Sequence, residues 1–150
     1  MFEDEEFYAG QEFVADFLSS LYCRIFIPKN EIIRYGEIFP ELYLIYKGVV
    51  VLCMKGNTKD REFFILPTYS YFGDYQILQD LRSQVVYKSG ENDHTYTMCI
   101  KKKAFKDLLN DYPDAKKFYM ERARLRRIEF RRRMKKHDRK LKETYGHSVD

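Results

Sequence analysis

The run Ser70-Tyr71-Phe72-Gly73-Asp74, with Arg82-Ser83 eight residues beyond the acid, holds the parts of an anion site. A strand ends on an aromatic, and the glycine permits a backbone turn that a side chain would block. Asp74 then opens a short helix, expected over Tyr75 to Leu78, whose free N–H groups face an anion. Arg82 adds a guanidinium able to form charge-assisted bonds to the same group. Asp74 is left to accept from a neighbouring hydroxyl. The order makes a small anion site. A tight turn followed by one helical turn, with Ile77 and Leu78 plugging a core, is the structural alternative.

Nothing else in the chain assembles chemistry. His94, His137 and His147 are scattered, and Cys23, Cys53 and Cys99 show no C-x-x-C spacing, which argues against a zinc site. The cysteines sit inside apolar runs and read as reduced, buried thiols. No Ser/His/Asp or Cys/His arrangement supports an enzyme, so no catalytic residue is assigned.

The elements that must hold the anion site follow from periodicity. Gln11 to Leu21 carries Phe13, Val14, Phe17, Leu18 and Leu21 on one stripe, an amphipathic helix. Short extended runs follow at Cys23–Ile27, Glu31–Tyr35, Leu42–Tyr46, Val49–Met54, Arg61–Leu66, Tyr71–Phe72, Gln84–Lys88 and Thr95–Ile100. Turn signals about every ten residues argue for a sandwich or barrel. Lys101 to Leu109 then reads as a helix with Ala104, Phe105, Leu108 and Leu109 on its apolar side. Pro113, suited to a first helical position, starts a last helix running to about Lys142.

With 150 residues, the chain has room for one domain and an appendage. Residues 1–9 are acidic and expected to be flexible, 10–112 form the β-rich body, 113–142 the basic helix and 143–150 a flexible tail. From Pro113 to Asp150 there are 14 Lys/Arg and 6 Asp/Glu; residues 1–112 hold 13 and 17. An acidic body therefore bears a basic helix. The acidic start argues against a signal peptide, and the longest clean apolar run, Val49 to Met54, is far below a membrane span of about 20 residues.

The anion-site run resembles the phosphate-binding cassette of cyclic nucleotide-binding domains. Further segments agree in register: Phe26-x-Pro28-x-Asn30-x-Ile32-Ile33 with Gly36, Leu42 to Val50 around Lys47-Gly48, and Lys55-Gly56-Asn57. Asp111-Tyr112-Pro113-Asp114-Ala115-Lys116 is similar to a hinge of cyclic nucleotide-gated channels. Together these identify roughly residues 10–130 with the channel branch, which includes the hyperpolarisation-activated, cyclic nucleotide-gated and ether-à-go-go types. The resemblance implies a mainly β fold with flanking helices: an antiparallel β-roll of jelly-roll type, an N-terminal helix, a short cassette helix and two C-terminal helices.

It also implies a regulatory ligand, cyclic AMP or cyclic GMP. Phe72 and Gly73 would shape the cassette, Asp74 would take the ribose hydroxyl where Glu is usual, and Tyr75 follows it. A backbone N–H at Gln76 would meet the cyclic phosphate, at a position the family keeps small. Arg82 would pair with the phosphate and Ser83 would bond it or the purine, although the stretch from Asp74 to Arg82 is one residue shorter than in well-known binders. By register from Pro113, Arg126 and Phe130 would face the purine from a lid helix. The expected setting is the cytoplasmic face of a membrane, within a tetrameric cation channel.

Two alternatives remain open, a ligand-free homology domain that fills its own pocket and the regulator of a soluble signalling protein. The distal basic helix is either a solvated face or a contact for anionic lipid. Nucleic acid is not expected, because no helix-turn-helix follows the long helix and Arg131-Arg132-Arg133 lacks interleaved aromatics beyond Phe130.

Overall fold

A computed structural model describes residues 10–145; the flexible segment expected at 1–9 lies outside it, as do residues 146–150 of the tail expected at 143–150, whereas 143–145 continue the last helix. Helix α1 (Gln11–Ser19) precedes strands β1 (Tyr22–Phe26), β2 (Glu31–Ile33), β3 (Glu41–Lys47), β4 (Val50–Met54), β5 (Arg61–Leu66) and β6 (Tyr71–Phe72). The cassette helix α2 (Asp74–Leu78) separates these from β7 (Val86–Ser89) and β8 (Thr95–Lys101). Helices α3 (Lys102–Asp111) and α4 (Pro113–Tyr145) complete the fold. The strands form two antiparallel four-stranded sheets, ordered β1-β8-β3-β6 and β2-β7-β4-β5. This is the expected β-roll, and among the described residues no helix is long and apolar enough to cross a membrane.

The two sheets are joined through an aromatic column. Phe72 stacks on Tyr43 at 4.8 Å and on Tyr87 at 4.9 Å, both nearly parallel, so β6 is clamped between β3 of its own sheet and β7 of the other. Offset stacking of this kind contributes beyond area burial. It fixes the strand that ends in the cassette.

The helices close one end of the roll. Phe13 and Phe17 of α1 are fully buried, and Phe13 packs on Tyr112, between α3 and α4, and on Tyr119 of α4. Leu18, expected on the same stripe, is 54% exposed because the helix has only two turns to bury. Helix α4 faces the roll through Ala115, Tyr119, Ala123, Arg126, Phe130, Met134 and His137, a four-four-three spacing that keeps one seam inward. Met120 lies off that seam and is exposed. Cys53 and Cys99 are buried free thiols; Cys23, expected to be buried, is exposed on the edge strand β1.

Candidate functional site

Gly73 makes the turn into α2. Its φ is +100°, a left-handed conformation that side chains rarely adopt, and an added Cβ would lie 3.0 Å from the Glu41 carbonyl and from the Phe39 ring. The turn aims Asp74 inward, and the residue is only 7% exposed. Facing it is Arg126 of α4, whose Nε lies 2.8 Å from Asp74 Oδ2. The same guanidinium donates to the Tyr71 carbonyl at 3.0 Å and sits 4.0 Å above the Tyr71 ring. Burial alone would pull the Arg126 guanidinium down, but Asp74 and Tyr71 outweigh it and hold the group charged. Asp74 Oδ1, by contrast, is buried without a hydrogen-bond partner. A buried carboxylate oxygen left open is costly unless something donates to it.

These groups line a cavity of about 200 Å3 with Phe72, Tyr75 and Phe130. Phe130 reaches over it from α4, 6.0 Å from Tyr75 and 5.9 Å from Phe63. Burial drives the Tyr75 hydroxyl far above its ordinary range, so it stays neutral and can serve as a donor. Gln76 is buried and turns away from the cavity, donating from Nε2 to the Tyr87 hydroxyl at 3.1 Å.

The structure thus brings Phe72, Gly73, Asp74, Tyr75, Arg126 and Phe130 together. Arg82 and Ser83 stand apart. After α2, Asp80 takes a positive φ and the Leu81 N–H returns to the Gln76 carbonyl. The chain then pairs with residues 36–38 through the Ile38–Arg82 bridge and the Ser83 N–H to Glu37 carbonyl bond. That pairing turns Arg82 outward, exposed, with its guanidinium donating to the Gly36 carbonyl. Ser83 points inward but spends its hydroxyl on the Val85 carbonyl. The cation expected from Arg82 is therefore absent from the cavity, and Arg126 and Arg133 of α4 supply the positive charge there.

Sequence reasoning also missed Phe63 and Phe64, which line the same cavity. Adjacent strand residues normally face opposite sides, but the β4–β5 register shifts between Leu52 and Cys53. The bulge lets consecutive phenylalanines share a face. The Phe63-Phe64 doublet, a break in alternation, was the available signal.

No family model matches the chain. It is 30% identical over 105 residues to the human potassium/sodium hyperpolarization-activated cyclic nucleotide-gated channel 4, covering 70% of this chain and 8% of that protein. The rod photoreceptor subunit alpha of the cyclic nucleotide-gated channel from Gallus gallus is 28% identical over 116 residues, 74% of this chain and 18% of that one. The chain thus spans only a small part of these relatives. Among solved structures, the C-linker/CNBHD of zELK channels superposes with a TM-score of 0.68 at 15% identity, covering 80% of this chain and 60% of that one. The regulatory domain of Toxoplasma gondii PKA with cAMP gives 0.58 at 18% identity, covering 65% and 38%. Sequence and fold together place this chain in the cyclic nucleotide-binding domain family, among the relatives of hyperpolarization-activated and cyclic nucleotide-gated channels.

Proposed function

We propose that this domain is a cytosolic regulatory module of a tetrameric cation channel, taking cyclic AMP or cyclic GMP as its ligand and relaying occupancy through α4. The observation that carries the reading is Asp74 Oδ1, a buried acceptor without a partner on the wall of an aromatic cavity. A ribose hydroxyl supplies the missing donor. The N–H groups at the start of α2 meet the phosphate, Arg126 balances its charge, and Phe130 covers the base. Phe72 and Tyr75 wall the site. Arg82 takes part only if its bond to Gly36 yields, and Ser83 only if it leaves Val85.

The cavity is smaller than the roughly 300 Å3 at which small-molecule pockets begin. Entry of a nucleotide therefore requires Arg126 and Phe130 to move, and with them α4. Ligand binding and helix position become one equilibrium, biased by the difference in affinity between the two states. Residues 10–112 form the sensing body and α4 the moving part. The role is regulatory and no catalysis is assigned. The exposed cations of distal α4 face anionic lipid at the cytoplasmic membrane surface.

Titration calorimetry with each nucleotide tests the proposal. Binding by the wild type, weakened about tenfold or more in Asp74→Ala by loss of a charge-assisted bond, is expected. No heat with either nucleotide at millimolar concentration refutes it and leaves a self-filled interaction module.

A further inference from the structure

Beyond the interior cavity, a groove of about 460 Å3 runs between β5 and the distal half of α4. We propose that this groove is a second anion site, selective for clustered phosphates. The inference sharpens the proposed lipid contact by giving it a place and a chemistry; the groove shares Phe63, Phe64, Glu129 and Arg133 with the interior cavity, so its test uses the protein without nucleotide.

The charge on the groove is unbalanced. Arg132, Arg133, Lys136 and Lys140 line it against a single carboxylate, Glu129, which lies 3.2 Å from Arg132 and 3.4 Å from Arg133. Among the described residues no ion pair engages Lys136 or Lys140. His137 stands on the same wall, and its Nε2 is buried without a hydrogen-bond partner. Concave surfaces of one sign over apolar walls focus their field on the groove. An incoming anion would answer all three features.

The floor decides which anion. Phe64 is covered by the Arg133 guanidinium at 4.3 Å, and Phe63 by the His137 ring at 5.7 Å and Phe130 at 5.9 Å. Both floor rings already hold a protein partner, so recognition is by charge. Arg132 to Lys140 spans about 12 Å of helix, which spaces four cations about 4 Å apart on average. Clustered phosphates reach that density. An acidic peptide does not, since side chains on one face of an extended chain repeat every ~7 Å.

Two probes separate the sources of such phosphates: inorganic tripolyphosphate in calorimetry, and phosphatidylcholine vesicles doped with a phosphatidylinositol bisphosphate in flotation. Binding of either is expected, with a shift of the His137 imidazole resonances on loading. Lys136→Gln with Lys140→Gln should weaken the interaction about tenfold. Arg139→Gln with Lys142→Gln removes the same charge outside the groove and should cost less than about threefold. Equal weakening by the two double variants means a diffuse basic helix and overturns the site. So does binding of polyglutamate as tight as tripolyphosphate, or binding of neither probe at low salt. Because both pairs are on the exposed side of α4, retained helical circular dichroism confirms that a loss is not misfolding.

Discussion

If α4 is held on the roll by the Arg126–Asp74 contact, the two side chains must be energetically coupled, and a double-mutant cycle measures that coupling. Arg126→Met keeps the aliphatic stem and removes the charge; Asp74→Asn keeps the shape. The Arg126 side chain is 34% exposed and that of Asp74 10%, which places the pair between two regimes. Exposed pairs contribute about 0.2–1 kcal/mol. Breaking a fully buried one costs about 3–5 kcal/mol. A coupling of about 2 kcal/mol follows. Arg126→Met also forfeits the contact with the Tyr71 ring, worth about 1 kcal/mol at a half-exposed site. Single variants should therefore lose about 2–3 kcal/mol each and the double variant about 3, well short of the sum. Urea unfolding of the four proteins gives the cycle, and amide exchange along α4 reports whether the helix loosens. The coupling should shrink in high salt. A value below about 0.5 kcal/mol would refute the claim that this pair holds the helix.

Other outcomes follow from single sites. Phe130→Ala removes a half-buried ring from Phe63 and Tyr75, and should cost about 2 kcal/mol, read as a fall in melting temperature of about 5 °C. Gly73→Ala forces a methyl group against Glu41 and Phe39 at a positive φ and should destabilise the domain by at least about 2 kcal/mol in denaturant titration. Burial pushes the Glu41 carboxyl up, but bonds from Tyr22, Tyr43 and Arg24 outweigh it and hold the group below its ordinary value. Its contribution to stability is complete above the unfolded pKa of about 4.3 and is lost as pH falls through the folded value. Glu41→Gln should flatten the acid limb of the stability curve relative to wild type. Iodoacetamide should modify Cys23 first, because burial protects Cys53 and Cys99 and pushes the Cys99 thiol up to about 11.

The order of elements was legible because short apolar alternations and turn residues report local geometry. Strand β5 was expected over Arg61–Leu66 and β6 over Tyr71–Phe72, and both occur there. Asp74 was readable as inward because a glycine turn precedes it. Arg82 was not readable in the same way. Which side of the chain it presents is set by a bridge to Ile38, more than forty residues earlier, and no local pattern encodes that pairing. Phe63 is a related case, since its inward direction depends on a bulge shared with β4. Arg126, expected on the pocket side by its register from Pro113, lies there, and its partner Asp74 is one that no local pattern of α4 encodes.

Helix α4 has 33 residues, a rod of about 50 Å. Its buried root ends at Ala123, which leaves about 33 Å between that fulcrum and Tyr145. A tilt of roughly ten degrees about Ala123 would carry the far end about 6 Å. Side chains at the cavity would shift by only an ångström or so in the same movement. If α4 relays occupancy as proposed, the helix works as a mechanical amplifier: for a given tilt, each turn added beyond the roll increases the stroke, and each turn removed reduces it.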